Sequence, residues 1–224
     1  MNDRMTEIRD RTQRILAELP EGVSLVAAAK TRSPEETRAA IAGGARIIGH
    51  NYVQEAAASI EALGPGLEAS WQFVGHLQRN KVKQAVRLFD AIQTVDSIRL
   101  ARALATECAK TDRVMSILIE VNSAREPQKA GVAPDEAEDL IRDVAALDHV
   151  RIAGLMTMGP FVDDPERLRP IFAATKELFD RIAGRSIPNV AMTTLSMGMS
   201  NSYRVAVEEG ATMVRLGTIL FGPR

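Results

Sequence analysis

The sequence alternates between short apolar segments and longer amphipathic ones, and this rhythm restricts the fold more than any other feature. Helix-like stretches separate eight apolar segments that have the length of buried parallel strands. These predicted strands span residues 23–29, 46–49, 71–75, 91–95, 114–121, 150–156, 190–195 and 213–217. Strands that alternate regularly with helices predict a TIM-like (β/α)₈ barrel of the α/β class, with a doubly wound open sheet as the alternative.

The segments that begin and end the helices support a single domain over residues 1–224. The run SPEE at residues 33–36 has the form of a capping box with proline at the first helical position, and the glycines at 43–44 predict a helix end. An extra amphipathic helix over residues 5–19 precedes the first strand, whereas only a short segment follows the eighth. We therefore expect the N-terminal helix to fill the gap that a missing final helix leaves in the ring.

Composition and charge exclude several classes of function. The formal net charge is −1, so no broad positive field would gather nucleic acid or an acidic membrane. The single cysteine, Cys108, cannot form an intramolecular disulfide or a multi-cysteine metal site, and its apolar surroundings predict a buried side chain. The N-terminus is too charged for a secretory signal, and no apolar run approaches the ~20 residues of a membrane span, so we expect a cytosolic protein.

Lys30 follows the first predicted strand, at the end of a barrel where active sites lie. Val26, Ala28 and Lys30 share one face of that strand, and the small Ala28 leaves room above the barrel core. A partly buried lysine is costly unless it is paired or neutral, and a neutral ε-amine is the form that condenses with an aldehyde. Taken alone, however, a lysine in this position is more often an exposed residue of a surface loop.

The loops after the seventh and eighth predicted strands have the composition of a phosphate site. The run LSMGMS at residues 195–200 offers hydroxyls, a flexible glycine and free backbone N–H groups before a helix-like stretch. The run RLGT at residues 215–218 adds an arginine, a second glycine and a further hydroxyl. TIM barrels often hold a phosphate at these two loops, so the pair predicts a phosphate cradle, although the first run alone is equally typical of a turn.

Arg215 is predicted to point into the barrel, because it shares strand parity with Met213 and Gly217. A buried guanidinium needs an acceptor, since an uncompensated buried charge is strongly destabilising. The acceptor is either a carboxylate of the protein or an atom of a ligand.

Two more segments add amide and imidazole groups to the same mouth of the predicted barrel. They are GHNYVQE at residues 49–55, after the second strand, and GHLQRNK at residues 75–81, after the third. A zinc site from His50, His76 and a carboxylate is a weak alternative, because the histidines lack helical metal-ligand spacing. His149 starts the sixth strand and is expected at the opposite end of the barrel.

Eight motifs in the same order resemble the pyridoxal phosphate homeostasis protein family, and the likeness covers nearly the whole chain. The matching stretches are AAAKT around Lys30, GHNYVQE at 49–55, WQFVGHLQRNK at 71–81, TVDS at 94–97, EVNSAREPQKAG at 120–131, GLMTM at 154–158, LSMGMS at 195–200 and VRLGTILFG at 214–222. The resemblance implies a fold-type III barrel that binds pyridoxal 5′-phosphate (PLP) and is related to the barrel domain of alanine racemase.

The resemblance also implies a set of cofactor-binding residues, with no catalytic residue and no metal. They are Lys30 for a Schiff base with PLP, Asn51 and His76 near the ring, Arg215 facing the pyridine nitrogen, and Ser196, Gly198, Met199, Gly217 and Thr218 around the phosphate. This chain has His50 where the family commonly has glutamate, which changes the charge of the pocket or only its rim. It also stops at Arg224, where relatives often continue for a few residues. Neither departure removes a group that would hold the cofactor.

The implied function is a PLP carrier or reservoir in PLP homeostasis. An arginine opposite the pyridine nitrogen disfavours its protonation, which makes the ring a poorer electron sink. Racemases of this fold also use a second base from a partner subunit and a separate β domain, for which this chain has no further sequence. We therefore expect a protein that sequesters PLP and releases it to apo-enzymes without a dedicated turnover reaction, and the resemblance implies that it is a monomer.

Three alternatives stay open at the level of sequence. The first is a PLP-dependent amino-acid racemase or decarboxylase of the alanine racemase type. The second is a Schiff-base aldolase that uses Lys30 on a sugar phosphate. The third is a protein-interaction scaffold built on an inert barrel.

Overall fold

Eight parallel strands close into a barrel in the computed structural model, which describes residues 3–223. In chain order the strands are β1 (Ser24–Ala28), β2 (Ile47–His50), β3 (Ser70–Phe73), β4 (Ala91–Val95), β5 (Met115–Glu120), β6 (Val150–Met156), β7 (Val190–Ser196) and β8 (Met213–Leu216). Each strand pairs with its neighbour in the chain, and β1 pairs with β8 to close the sheet. The predicted TIM-like barrel is therefore confirmed, and the open doubly wound sheet is wrong.

Helices connect the strands and pack on the outer face of the barrel. Their bounds are α1 (Asp3–Glu18), α2 (Pro34–Ala42), α3 (Val53–Leu63), α4 (Val82–Leu88), α5 (Ile98–Ala109), α6 (Ala137–Ala145), α7 (Arg169–Ala183), α8 (Tyr203–Glu208) and α9 (Thr218–Phe221). Short 3₁₀ turns at Arg79–Lys81 and Pro165–Leu168 precede α4 and α7. This arrangement leaves the loops after the C-terminal strand ends together at one mouth of the barrel.

Strand residues divide between two apolar regions according to their parity. Val26, Val74 and Met213 pack together inside the barrel. The larger core lies between the strands and the helices and includes the fully buried Phe73 and Phe89. Because successive strand residues face opposite sides of the sheet, a shift of one residue moves a side chain from one region to the other.

The predicted helix signals are confirmed around α2. The Ser33 hydroxyl accepts a hydrogen bond from Glu36 N (3.2 Å), and the Glu36 carboxylate accepts one from Ser33 N (2.9 Å), which completes the capping box. The helix ends at Ala42, directly before the two glycines. Strand boundaries were predicted less well, and only β4 and β6 match at both ends; the other six differ by one or two residues at one or both ends.

The helix α1 covers the gap in the helical ring between α2 and the single turn α9. Arg4 donates a hydrogen bond to Glu36 of α2 (2.6 Å), and the Tyr203 hydroxyl of α8 donates one to Glu18 (3.2 Å). The expected role of the N-terminal helix is therefore confirmed. Cys108 is buried in α5, as predicted. Over residues 3–223, every helix is too short or too polar to cross a membrane.

Candidate functional site

Lys30 lies at the C-terminal mouth of the barrel, two residues after the end of β1. The register of β1 against β8 places Val26 beside Arg215, so the chain around Lys30 runs next to the turn after β8. The lysine is half-buried, and its Nζ lies 5.3 Å from the centroid of the Tyr52 ring. This cation–π contact holds the amine over an aromatic face and leaves it within reach of the mouth.

The backbone directly after Lys30 is held in an unusual conformation. Thr31 has φ of +60°, in the left-handed region that costs a non-glycine residue about 1–2 kcal/mol. Its N–H donates to Glu55 (3.3 Å), and its hydroxyl donates to the carbonyl of Lys30 (2.7 Å). Arg32 donates to the carbonyl of Gly222 (2.6 Å). These contacts fix the direction in which Lys30 leaves the strand.

Backbone N–H groups converge on one oxygen between the ends of β7 and β8. The Ser200 hydroxyl accepts hydrogen bonds from Gly217 N (3.1 Å) and Ile219 N (3.4 Å). Gly198 has φ of +90°, and a Cβ there would lie 2.6 Å from the Cβ of Ala206, so the turn requires glycine. Two amides aimed at a single acceptor position are the local geometry of an anion site.

The residues predicted to form the phosphate cradle differ in their hydrogen bonds and in their exposure to solvent. Met199 N donates to the Ser202 hydroxyl (3.2 Å), whereas Thr218 begins α9 and is exposed. Ser196 lies below, with no solvent exposure. Its place in a phosphate cradle stays a prediction, and Ser200 is the serine hydroxyl that meets the converging amides.

A chain of buried hydrogen bonds runs from Arg215 across the barrel interior. Arg215 Nη1 donates to Ser196 Oγ (2.7 Å), and Nη2 donates to the carbonyl of Thr157 (2.8 Å). Ser196 Oγ in turn donates to Gln93 Oε1 (2.7 Å), and Gln93 Nε2 donates to Gln72 Oε1 (2.6 Å). Because a guanidinium can only donate, its position fixes the direction of every bond in this chain.

The inward orientation predicted for Arg215 is confirmed, and its acceptors are a hydroxyl and a backbone carbonyl. The side chain is buried, and burial lowers the pKa of Arg215 to about 10, an effect that the negative charge of Glu120 opposes. Arg215 therefore stays charged at neutral pH. Its two bonded nitrogens hold it rigidly against one wall of the mouth.

Glu120 is a second buried charge-bearing group at the mouth. It ends β5 and faces the barrel interior, since Ile119 next to it packs in the outer core. Burial, together with the nearby carboxylate of Asp96, raises the pKa of Glu120 to about 7, and Arg215 opposes this shift. The side chain lines a cavity of about 280 Å³ that also contacts Met199.

Asn51 and His76 come together on the other side of the mouth, and their place near a PLP ring stays a prediction. Both line a cavity of about 470 Å³ after β2 and β3, with Tyr52 and Lys81 on the same wall. Asn51 is half-buried, and His76 is exposed. Since Lys30 lies over the Tyr52 ring, this cavity adjoins the lysine.

His50 does not belong to the mouth, and the prediction that placed its imidazole there is wrong. A Cβ on Gly49 would meet Val26 and Val74 inside the barrel, so the next residue of β2 faces the helices. The His50 ring stacks on the Trp71 ring, with 5.7 Å between the ring centroids. Neither nitrogen of the imidazole has a hydrogen-bond partner within residues 3–223. Burial lowers the pKa of His50 to about 4, so the imidazole is neutral.

This orientation also argues against the zinc alternative, because His50 faces the helices and stacks on Trp71, whereas His76 lines the cavity at the mouth. The described part of the chain has no group of three or more His, Cys, Asp and Glu side chains that could hold a metal ion. His149 lies immediately before β6, at the opposite end of the barrel, as expected.

Sequence comparisons place the chain in a family. The family described as alanine racemase, N-terminal domain, matches residues 4–224. The pyridoxal phosphate homeostasis protein of Aquifex aeolicus (strain VF5) is 38% identical over 225 residues, which cover 99% of this chain and 97% of that protein. This chain belongs to the pyridoxal phosphate homeostasis protein family. The family member of the same name from Pasteurella multocida (strain Pm70) is 34% identical over 210 residues, covering 93% and 90% of the two chains.

Solved structures agree with this placement in the pyridoxal phosphate homeostasis protein family. PipY of Synechococcus elongatus PCC7942, determined with PLP bound, is 34% identical and superposes with a TM-score of 0.89 over 96% of this chain and 100% of PipY. An alanine racemase of Clostridium difficile 630 has a TM-score of 0.83 at 14% identity, and the match covers 57% of that chain. This second likeness shows a shared barrel fold alone.

Sequence reasoning missed several polar residues that this family member places at the site. Gln72, Gln93 and Glu120 are large polar residues in largely apolar strands, at positions that face the barrel interior. That combination was a usable signal, because a buried polar group needs a partner or a function. Ser200 lay inside the LSMGMS run but could not be distinguished from Ser196 without the turn geometry.

Proposed function

We propose that this chain binds PLP at the barrel mouth as a Schiff base on Lys30 and acts as a PLP carrier or reservoir in PLP homeostasis. The observation that carries the proposal is the agreement over the whole chain with PipY, whose structure contains PLP. In this chain a half-buried lysine lies next to converging backbone amides at the same mouth. The aldehyde of PLP would supply the chemistry, by condensing with the lysine amine.

The residues at the mouth fit the chemical groups of PLP. The amides of Gly217 and Ile219 already share one acceptor at Ser200, so the same donors suit a phosphate oxygen. Arg215 offers a fixed positive charge for the pyridine side of the ring. Asn51 and His76 line the cavity beside Lys30 and would contact the remaining edge of the ring.

The contacts of Arg215 favour a protein that holds PLP over one that uses PLP to catalyse a reaction. Arg215 is charged, buried and able only to donate a hydrogen bond, so a ring nitrogen facing it must accept that bond and stay unprotonated. An unprotonated ring is a poorer electron sink for carbanion chemistry. The names of the curated relatives describe homeostasis, which agrees with a carrier.

The test is an absorbance spectrum of purified protein, followed by borohydride reduction and peptide mass mapping. We expect a pyridoxyl group on Lys30 and its loss in Lys30→Ala, with Lys83→Ala as an exposed control on α4. A pyridoxyl group found instead on Lys81 or Lys129 would overturn the site.

The main rival is a PLP-dependent racemase or decarboxylase, and incubation with a panel of amino acids separates the two. Turnover well above that of free PLP would contradict a carrier. An aldolase would instead give colourless protein and borohydride trapping of a sugar phosphate on Lys30. An inert scaffold predicts that Lys30→Ala changes no measured property.

Transfer of PLP to apo-enzymes, a cytosolic location, a monomeric state and one domain over residues 1–224 stay predictions. Mixing loaded protein with an apo-enzyme and following recovery of that enzyme's activity tests the first. Fractionation of cells tests the second, light scattering after size-exclusion chromatography the third, and limited proteolysis the fourth.

A further inference from the structure

Glu120 lines a small cavity that borders the predicted phosphate cradle at Met199. The residue is 3% exposed, and its carboxylate forms no hydrogen bond or ion pair within residues 3–223. The cavity walls are formed by Lys129, Ala130, Met158, Phe161 and Met199. A largely buried carboxylate with no partner in the protein needs a donor from water or from a ligand that enters the cavity.

The charged neighbours of Glu120 do not supply that partner. Asp96, which follows β4, adds negative charge on one side. Arg215 of β8 is bonded to Ser196 and Thr157. Lys129 is committed to the carbonyl of Gly159 (3.1 Å) and to the carboxylate of Glu126 (2.7 Å). A hydrogen-bond donor that enters from outside would complete the cavity, and a positively charged donor would favour the ionised form of Glu120.

The shape of the cavity defines this donor further. Its volume of about 280 Å³ lies below the ~300–1,000 Å³ of pockets for drug-sized ligands, so it suits a single side chain. Its lining combines the Glu120 carboxylate with the apolar side chains of Met158, Phe161 and Met199. The complementary shape is a chain of methylene groups that ends in an ammonium group, which is the structure of a lysine side chain.

The rim of the cavity favours a protein over a free amine. Phe161 is 87% exposed, and Met158 next to it on the same loop is 36% exposed. An exposed aromatic side chain beside a pocket is typical of a protein-binding surface, because it buries a large area when a partner docks.

We propose that this cavity, which we call the Glu120 cavity, binds a lysine side chain of a partner protein. Its ammonium group would donate to Glu120, its methylene groups would pack on Met158 and Met199, and the partner's surface would cover Phe161. Resting on the proposed function, this inference identifies the place where a partner's lysine would approach a PLP carrier. Met199 lines the cavity and also belongs to the predicted phosphate cradle, so the two sites adjoin.

Methionine methyl groups provide a direct test. The full chain, labelled with [methyl-¹³C]methionine and prepared both with and without PLP, is titrated with Nα-acetyl-lysine N-methylamide. Nα-acetyl-norleucine N-methylamide, which lacks only the ammonium group, is the comparison. We expect the lysine probe to shift the Met158 and Met199 resonances and leave the buried Met115, at the start of β5, unchanged. Equal shifts from both probes would overturn the inference.

Glu120→Gln keeps the size of the side chain and removes its charge. We expect this substitution to weaken the binding of the lysine probe at least about tenfold, because hydrogen bonds between charged groups are stronger than those between neutral groups. Glu21→Gln, an exposed change between α1 and β1, is the matched control and should have no effect. Unchanged affinity in a folded Glu120→Gln protein, with folding checked by circular dichroism, would overturn the proposal.

A second variant separates a protein partner from a free amine without touching the core. Phe161→Ala should weaken the binding of acetyl-Leu-Lys-Leu-amide about threefold or more and leave the binding of butylamine unchanged. The reason is that only the peptide is large enough to cover the exposed ring. If Phe161→Ala has no effect and butylamine binds as tightly as the peptide, a protein occupant is ruled out.

PLP binding by the wild-type chain is scored separately. A chain that binds the lysine probe without binding PLP contradicts the proposed function and leaves the Glu120 cavity supported. A chain that binds PLP and does not distinguish lysine from norleucine contradicts the cavity proposal alone.

Discussion

The two sides of the barrel mouth differ in how their polar groups are paired. On the β7–β8 side, Ser196, Ser200 and Arg215 all have hydrogen-bond partners within the protein. On the β5–β6 side, the buried carboxylate of Glu120 has none among the described residues. The first side is preorganised by its own network, whereas the second leaves a carboxylate open to a donor from outside. This contrast matches a molecule that holds one ligand firmly and meets another transiently.

Ser196→Ala should disrupt the hydrogen-bond network on the β7–β8 side and have the largest effect on stability. It leaves Arg215 and Gln93 without their shared partner in a fully buried position, so we expect a loss of about 3 kcal/mol in the free energy of unfolding. Ser59→Ala is the matched control, since the buried Ser59 hydroxyl has no partner. Urea unfolding measures both. Equal losses in the two variants would show that the network does not stabilise the fold.

The pH dependence of stability should reveal the unpaired side. The pKa of Glu120 is raised from 4.5 to about 7, so the folded state binds its proton more tightly than the unfolded state does. The resulting stability is present below pH 4.5 and is lost as the pH rises through about 7, by an amount on the order of 3 kcal/mol. Glu120→Gln should remove this loss, and the exposed Glu136→Gln should retain it. Denaturant unfolding at several pH values measures the difference, and parallel curves for wild type and Glu120→Gln would contradict the prediction.

Ser200→Ala should weaken the phosphate contact without disturbing the rest of the site. The hydroxyl orders the amides of Gly217 and Ile219, and one hydrogen bond contributes about 0.5–1.5 kcal/mol, so we expect PLP affinity to fall about threefold to tenfold. Pyridoxal, which lacks the phosphate, is the control ligand and should bind both proteins equally. A parallel loss for pyridoxal would show that Ser200 acts on the fold instead.

His50→Phe should have the smallest effect on ligand binding. The imidazole faces the helices and stacks on Trp71, away from the mouth, so PLP affinity should change by less than about twofold. Fluorescence titration with PLP measures this. A large change in affinity would mean that residue 50 affects PLP binding inside the pocket.

The sequence predicted the barrel and the positions of Lys30 and Arg215 because strand parity and strand order suffice for both. Arg215 lies two residues after Met213, and Met213 packs inside the barrel. His50 was misplaced because β2 continues one residue further than predicted, to His50 itself. With a period of two, the last residue of this strand faces the helices and not the mouth.

The hydrogen-bond partners could not be predicted in the same way. Gln93 and Ser196 are separated by 103 residues in the chain, and only closure of the barrel brings them to 2.7 Å. The role of Ser200 depends on the left-handed turn at Gly198, which the composition of the LSMGMS run permits but does not require. Contacts between distant strands are properties of the closed sheet, so they become visible only in the structure.

The helix α1 has a consequence for the order in which this chain folds. It packs against α2, which follows the first strand, and against α9, which follows the last. During synthesis α1 leaves the ribosome long before the residues of α9 have been joined to the chain. One face of α1 must therefore wait exposed until synthesis of the eighth strand is complete. The contact between α1 and α9 therefore joins the first and last helices of the barrel, and it can form only after the eighth strand has been made.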